Sequence, residues 1–200
     1  MELYDEDSYF DLSSNVLRLS SDNIDEILDQ KSFKNHIDIL ILEGCAEHPG
    51  INGLSLLHQI KNLKIIQDKA ASLPDWVFTL KKLSCLEISH TSISVLPEEI
   101  RQLKHLEQLT IESSPLCELP NALSHLVSLE KLSISDCPLS SLPSQLNGLQ
   151  NLVYLDLRHT KITSFPEAMG NLSLLSTLHL SAHELQLAAP ILKLFQALVD

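Results

Sequence analysis

Aromatic side chains are scarce in this chain: one Trp, three Tyr and five Phe among 200 residues. That length still suffices to bury a full core, so leucine and isoleucine must do most of the filling. Basic residues are few as well. Lys and Arg number 14 against 26 Asp and Glu, for a formal net charge of −12. Nine of those acids fall in the first thirty residues beside a single Arg18, so that stretch carries −8 and the remainder only −4. An acidic surface repels phosphate backbones, which argues against nucleic acid as a partner. No run of about twenty apolar residues occurs, and a helix needs one to span a bilayer. The opening MELYDEDSYF lacks the basic start and apolar centre of a secretory leader. The expectation is a cytoplasmic location, or export by a route that reads some other signal.

What the chain does have is a period. Leu-Pro pairs stand at 73–74, 96–97, 119–120 and 142–143, and Phe-Pro follows at 165–166, each 23 residues after the last. Rows of that length begin at Ser14, Ile37, Ile60, Leu83, Leu106, Leu129, Leu152 and Leu175, with no insertion or deletion between them. The fourth place of every row is leucine: Leu17, Leu40, Leu63, Leu86, Leu109, Leu132, Leu155 and Leu178. The sixth is leucine or isoleucine, from Leu19 and Leu42 through Ile65, Ile88, Ile111 and Ile134 to Leu157 and Leu180. Apolar residues two apart share one face of a strand. Later in the row the spacing becomes three, as in Ile100 and Leu103 or Leu123 and Leu126, which is helical. Proline, with its fixed φ and no N–H, suits the first turn of that segment.

Each row therefore predicts one strand, one turn and one return segment. Neither layer buries its apolar stripe alone, so the rows must stack on a continuous core. Strands sit about 4.8 Å apart while helices need roughly 8–10 Å, so the stack bends with its strands inside.

The row LSCLEISHTSISVLPEEIRQL carries the pattern L-x-x-L-x-L-x-x-x-x-L-x-x-L-P-x-x-I-x-x-L. It resembles leucine-rich-repeat proteins of the 23-residue kind, found in Ras-suppressor-like proteins and in bacterial effectors. The resemblance implies an α/β repeat, a leucine-rich-repeat solenoid: a curved right-handed arc with a parallel sheet on its concave face and helical or 3₁₀ segments on its convex face. The expected division is an acidic N-terminal arm or cap over 1–13, eight repeats over 14–187 and a C-terminal capping helix over 188–200.

Departures from the pattern carry expectations of their own. The ninth place is usually asparagine in this family, bonding turn backbone between rows; here it is Asp22, Cys45, Asp68, Thr91, Ser114, Cys137, Thr160 and His183. Shorter polar groups offer fewer bonds than an amide, so a looser ladder is expected. Row two replaces its apolar and Leu-Pro places with Cys45–Gly50, and its turn should bulge or open. Ile191–Val199 alternates helically and should cap the open end of the core, the alternative being a dimerisation edge on an otherwise monomeric protein. Cys45 and Cys137 share a column four rows apart, beyond disulfide reach, and four reduced thiols fit a cytosol.

The register also places side chains on the concave face. Ser133, Asp156 and His179 stand on consecutive rungs, with the acid in the middle and about 10 Å between serine and histidine. A base must reach its nucleophile, so this is no hydrolase triad. His159, His179 and His183 lie on adjacent rows but in different columns, and ordinary surface or turn histidines are expected rather than a zinc site. No cofactor or metal is expected. The best candidate for contact with a partner is Lys131, Tyr154, Asp156, Arg158, His159 and His179, because tyrosine and arginine dominate binding hot spots. A second patch, Val16, Ile39, Ile41 and Ile66, is apolar and contiguous, and either the N-terminal arm (through Tyr4, Tyr9 or Phe10) or a partner covers it. Trp76 and Phe78 fall in the convex segment and should pack between its neighbours.

These residues and the resemblance lead to one expectation: a non-catalytic protein–protein interaction module that binds a protein on its concave face, as an effector delivered into a host cell. The alternatives are a resident cytosolic scaffold and the substrate-recognition part of an enzyme such as a ubiquitin ligase. The Cys-x-Asp motif of the leucine-rich bacterial ligases is missing after all four cysteines.

Overall fold

A 23-residue row whose fourth and sixth places are apolar has one stable way to stack: in register, one row upon the next. The computed structural model describes residues 10–11, 15–29, 37–46, 48–51 and 58–193, and they stack in that way. One open, curved sheet runs β1 (Phe10–Asp11), β2 (Val16–Ser20), β3 (Ile39–Glu43), β4 (Asn62–Ile66), β5 (Cys85–Ser89), β6 (Gln108–Glu112), β7 (Lys131–Ser135), β8 (Tyr154–Asp156) and β9 (Thr177–His179), in chain order. From β2 to β9 all pairs are parallel and every partner is 23 residues away, as in Leu17↔Leu40 and Leu132↔Leu155. β1 lies antiparallel on the outer edge of β2, pairing Phe10 with Leu17. The described part of the arm thus pairs its backbone with the sheet's first edge. Tyr4 and Tyr9 lie outside the described residues.

The two apolar columns are the core. Leu17, Leu40, Leu86 and Leu109 are fully buried, as are Leu19, Leu42, Ile65, Ile88, Ile111 and Ile134. Only at the last row does burial fall off, where Leu178 and Leu180 are partly covered. On the convex side, Pro74, Pro97, Pro120 and Pro166 each stand in extended conformation before a 3₁₀ turn, at 75–79, 98–102, 121–125 and 167–171. Trp76, Val77 and Phe78 are buried there. Row six has its proline but no such turn, and its Gly148 is pressed on row five: a Cβ at Gly148 would stand 1.6 Å from the Ser124 carbonyl oxygen.

After each strand from β3 to β8 the chain turns through a left-handed residue. Gly44, Gln67, His90, Ser113, Asp136 and His159 all have φ between 50° and 63°. Each costs strain unless it is glycine. What holds the turn is a bond to the next row, in which Gln67 N–H donates to Ser89 O and Asp136 N–H to Arg158 O, each at 3.1 Å.

The inter-row ladder is made without asparagine in the ninth place. Cys45 and Cys137 thiols donate to the Leu19 and Ile111 carbonyls of earlier rows. Asp68 accepts from Ala46 N–H and Ala70 N–H, and Ser114 Oγ accepts from Thr91 N–H. At the C-terminal end the task shifts to the tenth place, whereas at the first row the tenth place bonds within its own row. Asn23 is buried and accepts from Ser20 N–H at 2.8 Å, while Asp22 is exposed. At the other end Glu184, 1% exposed, accepts from Thr160 N–H at 3.0 Å.

That carboxylate explains a difference from the expected boundary. The first helix, α1 (Ile24–Asp29), follows β2, and the C-terminal helix, α2 (Ala182–Leu192), begins inside row eight and not at 188. Row eight lacks the Leu-Pro pair that halts other rows, and Ser181 with Glu184 three residues on forms a helix-starting pair whose side chains hydrogen-bond. His183, expected to point into the turn, is consequently exposed on α2. Row two makes a short turn at 48–51, closed by Ile51 N–H to His48 O at 2.9 Å. Of the irregular stretch Cys45–Gly50, Glu47 lies outside the described residues.

Gly148→Ala should lower stability by about 1–3 kcal/mol, since the new Cβ meets backbone that cannot swing away. Gln102→Ala, at the equivalent and exposed place of row four, should stay within about 0.5 kcal/mol. Urea denaturation of the two variants checks this; equal midpoints would mean that row six does not rest on Ser124.

Candidate protein-binding face

Because every row has the same length, residues 23 apart become neighbours, and the face is assembled across rungs. Lys131 stands beside Tyr154 and Tyr154 beside Thr177, while Ser133, Asp156 and His179 follow one another on the next line. Five of the six candidate residues meet. The Lys131 ammonium lies 5.2 Å from the centre of the Tyr154 ring, a cation–π distance. His179 packs edge-on against that ring at 5.1 Å. The Tyr154 hydroxyl is 3.0 Å from His179 Nδ1 and 3.4 Å from Asp156 Oδ2, so its one proton serves one of the two. His159 stands apart: it occupies the left-handed turn place with its side chain exposed, and among the described residues its backbone N–H is engaged by Ser181 Oγ.

Asp156 is not the exposed concave side chain that its column implies. Only 3% of its side chain meets solvent. Arg158, two residues on, folds back over it, with Nε 2.9 Å from Oδ1 and Nη2 2.7 Å from Oδ2, and Arg158 N–H also donates to Oδ1. Burial pushes the Asp156 carboxyl up, but the bonds and charge of Arg158 outweigh it and hold the group below the usual carboxylate value. Tyr154 is raised above its ordinary value, first by burial and then by the Asp156 charge. Ser133 and Ser89 are buried as well, so the face is less open than column counting suggests.

Val16, Ile39, Ile41 and Ile66 are each half-buried. Val16 and Ile39 are direct partners, whereas Ile41 lies between Arg18 and Lys64, and Ile66 pairs with Glu43. The patch is therefore interrupted by charge. No group of three or more His, Cys, Asp or Glu suited to a metal occurs among the described residues, and no helix among them is long and apolar enough to cross a membrane.

Behind the face, Thr160, Ser181 and Glu184 tie row seven to α2. Thr160 N–H and Oγ1 both lie within 3.2 Å of Glu184 Oε1. Counting along columns passed over this link, although the Ser-x-x-Glu spacing at 181–184 signals it.

Comparison with known proteins agrees with the stacking. A model described as a leucine-rich repeat region matches residues 16–153, and one described as leucine rich repeat matches 128–185. No curated protein matches the chain. Among solved structures, a leucine-rich-repeat protein of Leptospira interrogans is similar at 22% identity and TM-score 0.60, over 74% of this chain and 50% of that one. The leucine-rich-repeat domain of the type III effector XopL is similar at 24% identity and TM-score 0.65, over 79% of this chain and 55% of that one. The chain thus spans about half the length of these two proteins.

Two variants probe the Asp156 pair. Arg158→Ala leaves a buried carboxylate without its partner and should cost about 2–4 kcal/mol, whereas Asp156→Asn should cost less, about 1–2 kcal/mol. In the wild type the folded carboxyl titrates below its unfolded value near 3.8. The contribution is therefore complete above that pH and is lost as pH falls through the lower folded value. Asp156→Asn should remove this part of the acid dependence. Unfolding curves from pH 7 to pH 2 for the three proteins test it, and an unchanged acid limb in Asp156→Asn would refute it.

Proposed function

We propose that this chain, which belongs to the leucine-rich-repeat family, is a protein-binding module that takes its partner on the concave face at Lys131, Tyr154, Arg158 and His179. The observation that carries the reading is the preorganised group on rungs six to eight. A tyrosine and an arginine, the side chains richest in hot-spot energy, are held there by a buried carboxylate and not by lattice-like neighbour pairing. Elsewhere on the face, Lys64 is neutralised by Glu87.

The reading is one of binding and not of catalysis. Burial pushes the Cys45 thiol up to about 11 and raises Cys85 and Cys137, opposite to what a nucleophile needs. His179 is engaged by Tyr154, and Asp156 stands between it and Ser133. As to setting, we carry the reading of an effector acting in a host cell over that of a resident scaffold. It draws support from the similarity to an effector's repeat domain. The apolar residues Val16, Ile39, Ile41 and Ile66 form the rival contact surface.

Affinity capture from host and native lysates tests both surfaces. Lys131→Ala/Tyr154→Ala should capture at least about tenfold less of the specific partner, the scale of one or two lost hot spots. Ile39→Asp/Ile41→Asp should capture as wild type does. Thermal melts confirm that both variants are folded. Equal capture by the first variant refutes the site, and loss confined to the second moves it to the other end of the arc.

A further inference from the structure

We propose that the Lys131–Tyr154–Arg158–His179 group recognises an acidic peptide segment, one that places two or more carboxylate side chains along these rungs. The inference rests on the concave face being the binding surface and names the chemistry it selects. Along the third, fifth and seventh row places, the face holds four cations (Arg18, Lys64, Lys131, Arg158) and four carboxylates (Glu43, Glu87, Glu112, Asp156). It is neutral in a chain of −12. The two signs are not evenly mixed. On rungs six to eight the one carboxylate, Asp156, is 3% exposed and consumed inward, while the Arg158 side chain is 50% exposed.

What solvent meets there is a set of donors. The fork of Arg158 uses Nε and one side of Nη2 on Asp156, leaving its outer N–H groups free of that pair. Lys131 is braced over the Tyr154 ring and makes no ion pair among the described residues. The Tyr154 hydroxyl donates to Asp156 Oδ2 and stands 3.0 Å from His179 Nδ1, and the exposed His179 ring adds a third group able to donate to an anion. Two cations and an imidazole around an aromatic ring, with the Asp156 carboxylate turned inward, complement anions.

Size separates the candidate anions. Lys131 and His179 are two rungs apart, about 10 Å, and Lys131 and Arg158 differ by four places along the strand direction, roughly 13 Å. One phosphate is too small to meet all three. Carboxylates spaced along a peptide are not, and a peptide carries less repulsion against a chain of this charge than a nucleic acid does.

Fluorescence anisotropy of the full chain tests the proposal with five probes: a labelled peptide bearing four glutamates, its glutamine and lysine counterparts, a peptide bearing a single phosphoserine, and oligothymidylate. The glutamate peptide should bind at least tenfold more tightly than the glutamine one, and raising salt from about 50 to 300 mM should weaken it severalfold. Lys131→Glu should lose at least tenfold and gain affinity for the lysine counterpart peptide. Lys131→Ala gives the same direction of loss if the reversal disturbs folding. Glutamine binding as well as glutamate, tighter phosphoserine or oligothymidylate binding, no peptide binding, or no response to either Lys131 variant overturns it. If the peptides fail while Lys131→Ala/Tyr154→Ala still abolishes capture of the partner, the surface stands and its acidic preference falls. If capture is also unchanged, both fall.

Discussion

The register between rows is the constraint from which the rest of the molecule follows. Leucines in the fourth and sixth places face inward only while partners remain 23 residues apart. A slip of one residue would turn both columns to solvent. With that many aliphatic side chains at stake, at roughly 1.5–3 kcal/mol for each one buried, the pairing is fixed far more firmly than any surface contact could fix it. The surface inherits the precision. Lys131 meets Tyr154, and Tyr154 meets His179, because three rows have equal length, not because those residues attract one another strongly. Contacts on such a face are a by-product of the core until a side chain departs from its column. Asp156 is the one that departs, drawn beneath Arg158.

Stacking rows at strand spacing obliges the chain to turn sharply after each strand, and this protein makes the turn with residues poorly suited to it. Gln67, His90, Ser113, Asp136 and His159 occupy left-handed backbone where glycine is at ease. Each turn N–H, however, finds a carbonyl of the following row or, at His159, the Ser181 hydroxyl. The ladder inside the turn is equally mixed, with thiols at Cys45 and Cys137, carboxylates at Asp68 and Glu184, and hydroxyls at Thr91 and Ser114. What matters is that buried backbone groups be satisfied. The identity of the group that does so is free to vary.

This freedom decides what could be read from the residues. Sheet order, strand bounds and the core columns were legible because they depend on a period, and periods survive in a list of letters. The turns were not, because no glycine column marks 67, 90, 113, 136 and 159. The start of α2 at Ala182 was missed by following the row frame past Ser181, although Ser181 and Glu184 spell a helix start. For the candidate site, columns placed Lys131, Tyr154 and His179 together correctly. They could not show that Asp156 is buried, since that depends on Arg158 folding back over it two residues later. His159 failed for a related reason. Its left-handed backbone carries it out of the strand's alternation and off the face.

Stability alone gives no reason for Asp156. A carboxylate moved out of water loses solvation that its partners only partly restore, and apolar side chains of similar volume often serve a fold as well or better. Row eight of the same column has His179 and row six has Ser133, neither of them a carboxylate. An uncharged residue at 156 would fit the stack at a modest cost in stability, and the larger change would come outside it. Arg158 would swing free, and the Tyr154 hydroxyl would keep one partner in place of two. A buried acid with an arginine forked over it is a device for holding a cation still beside an aromatic ring. On a sheet otherwise built by repetition, that sets rungs six to eight apart from the rest of the face.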